Sequence, residues 1–161
     1  GQTELPIHVH LMVSDAVLLS QIDQFAEAGA DLISIHVENA NASEGLDRIS
    51  ALGLKAGMVL RVETPVAQAA SWLPRLDILT LLGTAIGVKG QGLSPAAASR
   101  LQEAGRIISA SGRRIVLAAD GGIRDSTVPL LRQAGAETVV MGSLAFGAPD
   151  LAERMRWLHA L

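Results

Sequence analysis

The sequence predicts an α/β protein with a parallel sheet, of the (β/α)8 barrel type, in which about six β/α units are present and the first two strands are missing. Six apolar strand patterns alternate strictly with six helical patterns, as in parallel α/β proteins. The 161 residues shared among six units give about 27 residues per unit, near the pitch of barrels whose eight units take roughly 200–250 residues. Polar residues also follow the carboxyl ends of the strands, which converge on one site in a barrel. An open doubly wound sheet is the alternative, because it tolerates five or six strands.

Composition indicates one well-buried globular domain spanning residues 1–161, since 49% of the residues are apolar and 18% are charged. The net charge of −3, with two Phe, two Trp and no Tyr, offers neither the basic surface nor the stacking platform of a nucleic-acid-binding protein. No apolar run reaches the ~18 residues of a spanning helix. The absence of Cys excludes disulfides and thiolate metal ligands. We expect a cytoplasmic protein with no nucleic-acid or membrane partner.

The first half of the chain contains two strands with a histidine-bearing face. Residues 7–12 alternate, with His8 and His10 on the polar face, and residues 32–38 repeat this pattern with His36. The other elements predicted here are helices over 14–29, 43–52 and 64–72 and a strand over 55–60.

The second half continues the alternation. A strand over 76–82 leads into the segment 83–92, in which four glycines in ten residues indicate a functional loop. The remaining predicted elements are a helix over 94–111, a strand over 115–119, a short helix over 126–134, a strand over 138–141 and a closing helix over 150–161.

Three side chains at strand ends can bind a divalent metal or transfer protons: His10, His36 and Asp120. Two imidazoles and a carboxylate suit Zn, Mn, Fe or Co. Asp120 ends an apolar run and precedes two glycines, which predicts a buried strand delivering a carboxylate to a site, although an Asp-Gly turn without chemistry gives the same pattern. His8, one residue pair deeper, and Met12 either line the pocket or pack inside the barrel.

Backbone-rich elements after the last three strands predict a phosphate site. In barrels, the loops after the seventh and eighth strands commonly hold phosphate through backbone N–H groups. The candidate residues are Gly90, Gln91 and Gly92, then Gly121 and Gly122, and finally Gly142 and Ser143.

Two cationic side chains near the predicted site have alternative interpretations. Arg61 either clamps an anion or pairs with Glu38 or Glu63. Lys89 either contacts substrate or is only solvated with its loop.

Together these residues resemble the ribulose-phosphate 3-epimerase family of phosphate-binding (β/α)8 barrels, along nearly the whole chain. By that resemblance, His10 is a metal ligand, Asp120 is both a metal ligand and an acid/base, and Gly142-Ser143 binds phosphate. The motifs that carry the resemblance are Val9-His10-Leu11-Met12-Val13, residues 25–31 with His36-Val37-Glu38, Gly90-Gln91, Asp120-Gly121-Gly122, and Gly142-Ser143 with Phe146.

The resemblance implies metal-dependent inversion of C3 of a ketose phosphate, ribulose 5-phosphate / xylulose 5-phosphate or a related sugar phosphate. One base removes the proton next to the ketone, a metal stabilises the enediolate, and an acid on the opposite face returns the proton. The resemblance assigns the partner aspartate and further metal ligands to the first two strands. We therefore expect this chain alone to be inactive, and a chain extended by about 60 residues to be active.

The chain departs from the family pattern at the mouth of the site. Arg61-Val62 replaces the usual Asn-Pro, residues 85–88 replace Asn-Pro-Gly-Phe, and His8 replaces a common aspartate. These changes suggest a related substrate with an extra anionic group that contacts Arg61 or Lys89.

Two other functions are compatible with the same phosphate site. A decarboxylase or aldolase-type relative would need a lysine at a strand end, which no predicted strand supplies. A non-catalytic phosphosugar-binding barrel would bind no divalent ion. Whatever the function, the sheet edges left by the missing strands are expected to promote self-association of this chain into a homo-oligomer.

Overall fold

The computed structural model describes residues 4–87 and 90–161, and this part of the chain forms one six-stranded parallel sheet. The strands lie side by side in chain order. A doubly wound sheet reverses its direction of growth at a switch point, so the uninterrupted order excludes that alternative. The strands are β1 (His8–His10), β2 (Leu32–His36), β3 (Lys55–Leu60), β4 (Ile78–Leu82), β5 (Val116–Asp120) and β6 (Thr138–Val139).

The sheet is strongly curved, because side chains from β1 and β5 meet. Four strand spacings of about 4.8 Å would separate these strands by roughly 19 Å in a flat sheet. The imidazole of His10 nevertheless lies 3.7 Å from the carboxylate of Asp120. The six strands therefore form part of the wall of a barrel, as the sequence predicts.

Helices connect the strands at most of the predicted positions. They are α1 (Asp15–Glu27), α2 (Ala42–Ala51), α3 (Ala97–Ala110), α4 (Val128–Gln133), α5 (Ser143–Phe146) and α6 (Leu151–His159). The short helix α5 occupies a segment for which no helix was predicted. None of the helices in the described ranges has the length and hydropathy needed to span a membrane.

The prediction of a helix over 64–72 was wrong. Instead, the connection between β3 and β4 contains two 3-10 turns, Val66–Ala69 and Leu73–Arg75. Pro74 lies in the second turn, and a proline there has no N–H for an α-helical bond to the carbonyl of residue 70 and would clash with it. Pro74 therefore excludes an α-helix that runs through the second turn.

Both faces of the central strands are buried, as predicted for a parallel sheet. One face packs against the helices, and its side chains include Ile35, Met58, Leu79 and Leu117. The opposite face is also buried at its apolar positions, which are Val59, Ile78, Leu82 and Ala118. Strand alternation places the histidines of β1 and β2 and Asp120 of β5 on this second face, away from the helices.

Candidate functional site

The carboxyl ends of β1, β2 and β5 bring His10, His36 and Asp120 into one cluster. Nδ1 of His10 lies 3.7 Å from Oδ2 of Asp120. Nε2 of His10 lies 2.9 Å from Nε2 of His36, and the two ring centroids are 5.0 Å apart with the ring planes inclined by 25°. The structure thus places together the three side chains predicted to bind metal or transfer protons, whose roles remain predictions.

Glu38, two residues beyond His36, extends this cluster. Its Oε2 lies 3.1 Å from Nδ1 of His36, while its Oε1 accepts hydrogen bonds from the backbone N–H of Arg61, at 3.1 Å, and from the hydroxyl of Thr64. Burial acts to raise the pKa of Glu38, but the hydrogen bonds from Thr64, Arg61 and His36 outweigh it and leave this pKa below its ordinary value. Glu38 is therefore a carboxylate at neutral pH.

His36 and His8 are both neutral at the same pH. Burial, followed by the proximity of His10, lowers the pKa of His36, and the opposing effect of Glu38 does not reverse this shift. Burial and then His10 also lower the pKa of His8, whose Nε2 lies 2.7 Å from the hydroxyl of Ser34. His8 thus contacts a neighbouring strand deeper in the barrel.

The loop after β3 is fixed by a side chain from α3. Arg100 donates hydrogen bonds to the carbonyl oxygens of Thr64, at 2.7 Å, and Arg61, at 2.8 Å. Arg61 itself is about half exposed, and its Nε lies 3.8 Å from Oε2 of Glu38. This distance favours the interpretation that Arg61 pairs with Glu38.

Sequence reasoning did not identify Glu38, Thr64 and Arg100 as part of the site. Strand alternation could have indicated Glu38, because it shares a face with His36. No local pattern indicates Thr64 or Arg100, because their partners are distant in the sequence. Thr64 is 26 residues from Glu38, and Arg100 is 36 residues from Thr64.

A cleft of about 250 Å³ lies beside the cluster, and Asp120 lines it. Six of the seven residues predicted to bind phosphate also line this cleft, whereas Gly92 does not; the six are Gly90, Gln91, Gly121, Gly122, Gly142 and Ser143. Met12, also predicted to contact substrate, follows β1 and is 58% exposed. The predicted residue Lys89 is outside the described residues.

The two glycines after Asp120 also allow two loops to pack closely. Both have positive φ, +86° for Gly121 and +71° for Gly122. A Cβ at Gly121 would overlap the hydroxyl of Thr84, and one at Gly122 would lie 3.0 Å from Cα of Leu93. Thr84 and Leu93 can therefore approach this motif so closely only because Gly121 and Gly122 carry no side chains.

Arg124 is a further residue that sequence reasoning missed. It lines the cleft and donates a hydrogen bond from Nη2 to the carbonyl oxygen of Gln91, at 3.2 Å. Among the described residues that line the cleft, it is the one with a cationic side chain. Its position two residues after Gly122 was the available signal.

His10 and Asp120 fit a divalent ion as a partial ligand set. Two ligands of one tetrahedral zinc ion, with bonds of about 2.0–2.2 Å, lie roughly 3.5 Å apart, close to the 3.7 Å between Nδ1 of His10 and Oδ2 of Asp120. Within residues 4–87 and 90–161, no group of three or more His, Cys, Asp or Glu side chains is arranged to hold a metal. The described residues thus offer two of the three or more protein ligands that such an ion requires.

Comparison with protein families matches residues 1–146 to the model of the ribulose-phosphate 3-epimerase family. The chain is 40% identical over 154 residues to ribulose-phosphate 3-epimerase 2 of Cupriavidus necator, covering 91% of this chain and 62% of that protein. It is 36% identical over 149 residues to ribulose-phosphate 3-epimerase of Serratia marcescens, covering 90% of this chain and 69% of the relative. The chain therefore spans a little under two thirds of the length of the Cupriavidus protein.

Solved structures support the fold. A crystal structure of 3-hexulose-6-phosphate synthase superposes with a TM-score of 0.68 at 20% identity, covering 92% of this chain and 70% of that one. The 3-hexulose-6-phosphate synthase of Salmonella typhimurium gives a TM-score of 0.72 at 19% identity, covering 96% and 72%. At these identities the likeness concerns the fold alone.

Proposed function

Because the chain belongs to the ribulose-phosphate 3-epimerase family, we propose that it contributes one acid/base, two metal ligands and the phosphate site of a metal-dependent ketose-phosphate 3-epimerase. The observation that carries this proposal is the position of Asp120. Its carboxylate adjoins the imidazole of His10 on one side and lines the glycine-rich cleft on the other. A group anchored in the cleft by its phosphate would thus lie beside a carboxylate.

Inversion of a carbon next to a ketone needs a proton acceptor on one face and a proton donor on the other. Asp120 serves one face, and the second acid/base is not assigned to any described residue. A bound divalent ion would supply Lewis-acid stabilisation of the negative charge that develops on the substrate oxygens. His10 and Asp120 would hold this ion through Nδ1 and Oδ2.

The substrate we propose is ribulose 5-phosphate / xylulose 5-phosphate or a related sugar phosphate. The glycines and Ser143 of the cleft would bind the phosphate, and Arg124 adds a positive charge at its edge. Arg61 would contact an additional anionic group only by leaving Glu38. Equal rates of C3-proton exchange by Arg61→Ala and the unmodified chain on the true substrate would exclude that contact.

A hydrogen-exchange assay tests the role of Asp120 without requiring inversion. The chain is incubated with Mn²⁺ and each pentulose 5-phosphate in D₂O, and the C3 proton is followed by NMR. With a base on one face, we expect one epimer to exchange its C3 proton while its configuration is retained. Asp120→Asn should slow this exchange by about 10²–10⁴-fold.

The matched control is Asp125→Asn, which removes another carboxylate from the same loop. The carboxylate of Asp125 is paired with Arg154 at 2.7 Å. This variant should exchange at the parent rate. Equal exchange by Asp120→Asn and the parent would refute the assignment of Asp120. Binding of the sugar phosphate with neither exchange nor metal uptake would instead favour the non-catalytic phosphosugar-binding function.

A further inference from the structure

A line of contacting groups leads from Glu38 through His36 to His10 and ends at Asp120. Its first two contacts, Glu38–His36 and His36–His10, are hydrogen bonds. We propose that Glu38 is a positioning residue that, through His36, fixes the neutral tautomer of His10 and leaves the Nδ1 lone pair of His10 facing Asp120. The assignment of His10 and Asp120 as metal ligands rests on the proposed function. The tautomers themselves follow from the contacts and can be measured without metal.

The contacts of Glu38 determine which nitrogen of His36 carries a proton. An ionised carboxylate has acceptor oxygens only. One oxygen of Glu38 already accepts from the hydroxyl of Thr64 and the backbone N–H of Arg61, and the other lies 3.1 Å from Nδ1 of His36. His36 must therefore carry a proton on Nδ1 and donate it to Glu38.

The proton on Nδ1 of His36 determines in turn which nitrogen of His10 is protonated. A neutral imidazole has one N–H and one lone pair, and the bond made by one nitrogen sets the state of the other. With its proton on Nδ1, His36 accepts at Nε2. Nε2 of His10, 2.9 Å away, must then be the donor, which leaves the lone pair of His10 on Nδ1.

On its other side, His10 faces Asp120. Its Nδ1 lone pair and the carboxylate of Asp120 are both acceptors, and they face each other at 3.7 Å. No hydrogen bond can join two acceptors, whereas a cation between them binds both. The line of groups thus prepares the nitrogen that a metal needs, and metal-binding histidines commonly have their other nitrogen fixed in this way.

A side chain of helix α3 supports the position of Glu38. Arg100 of α3 bonds to the carbonyl oxygens of both residues that donate to Glu38. Arg100 therefore links the two residues that donate to Glu38 to helix α3.

Glu38→Gln is the informative substitution because it keeps the size of the side chain. If the amide oxygen stays with Thr64 and Arg61, the amide NH₂ faces Nδ1 of His36, which must then accept. The proton of His36 moves to Nε2, His10 accepts at Nε2, and His10 carries its proton on Nδ1 toward Asp120. One substitution is thus expected to invert both tautomers.

Long-range ¹H–¹⁵N NMR spectra of the ¹⁵N-labelled chain at about pH 8, above the pKa of an ordinary imidazole, read each tautomer directly. The chain has four histidines, so the assignment is tractable. We expect His36 protonated on Nδ1 and His10 on Nε2 in the parent, and the reverse in Glu38→Gln. Glu63→Gln, which removes an exposed carboxylate from the neighbouring loop, should match the parent.

The proposal is overturned if His10 of the parent carries its proton on Nδ1, or if Glu38→Gln leaves both tautomers unchanged. The parent spectrum decides the question even if Glu38→Gln does not fold. Zn²⁺ titration gives a second readout, in which Glu38→Gln should bind about 10–100-fold more weakly than the parent and Glu63→Gln. Inverted tautomers without C3 exchange would count against the proposed function and leave the role of Glu38 intact.

Discussion

Substitution of Gly122 by Ala tests whether the motif after Asp120 depends on direct backbone packing. Gly122 has φ +71° and faces Leu93, whereas Gly53, just after α2, has φ +72° and open space where a Cβ would lie, with no neighbouring heavy atom within 4 Å. Alanine at either position adopts a left-handed conformation that costs about 1–2 kcal/mol. The two substitutions therefore share one backbone term and differ in contact alone.

The contact at Gly122 sets the expected difference. A new Cβ would lie 3.0–3.2 Å from Cα, N and Cβ of Leu93, and two of these three are main-chain atoms that cannot rotate away. Overpacking of this kind typically costs 1–3 kcal/mol. We expect Gly122→Ala to lower the free energy of unfolding by about 2–5 kcal/mol and Gly53→Ala by about 1–2 kcal/mol.

Urea unfolding followed by circular dichroism measures both values. The same variants are then titrated with inorganic phosphate, because a shift of the loop 83–93 would also deform the cleft that this loop lines with Gly122. Gly53→Ala should bind phosphate as the parent does. Equal losses of stability in the two variants would refute the packing argument, since the backbone term alone would then account for both.

Three further predictions concern pH, charge and association. The pKa values of His8 and His36 are lowered in the folded chain. At a pH just below 6.5, the ordinary pKa of an imidazole, the unfolded chain therefore binds more protons than the folded chain. The free energy of unfolding, measured with urea, should therefore have its full value above about pH 6.5 and fall on acidification. The fall should be less steep in a His8→Asn, His36→Gln double variant. A free energy of unfolding that rises on acidification would contradict this prediction. Arg124→Gln should weaken phosphate binding by about 10–100-fold in a calorimetric titration, through loss of a charged donor, whereas Arg132→Gln should not; equal affinities would remove Arg124 from the site. Because β1 and β6 lie at the edges of the sheet, we expect concentration-dependent association in sedimentation velocity, and a monomer at every concentration would contradict it.

The strands were predictable because each depends on a local pattern. Alternation in residues 7–12 and 32–38 placed the histidines of β1 and β2 on one face, and the contact between His10 and His36 confirms that they share it. The convergence of Asp120 with them was also predictable, since carboxyl ends of parallel strands meet in a barrel. What alternation could not decide was barrel or doubly wound sheet, because both produce the same order of strands and helices along the chain.

The sequence by itself thus determined the class of fold, the residues at the strand ends and the glycines of the cleft, because periodicity and backbone freedom act over a few neighbouring residues. Only the tertiary structure decided the curvature of the sheet and the partners of Glu38. Those features depend on contacts between segments more than 20 residues apart, such as Thr64 with Glu38 and Arg100 with Thr64. Such contacts form only when the strands have been assembled in order, and no local pattern encodes them.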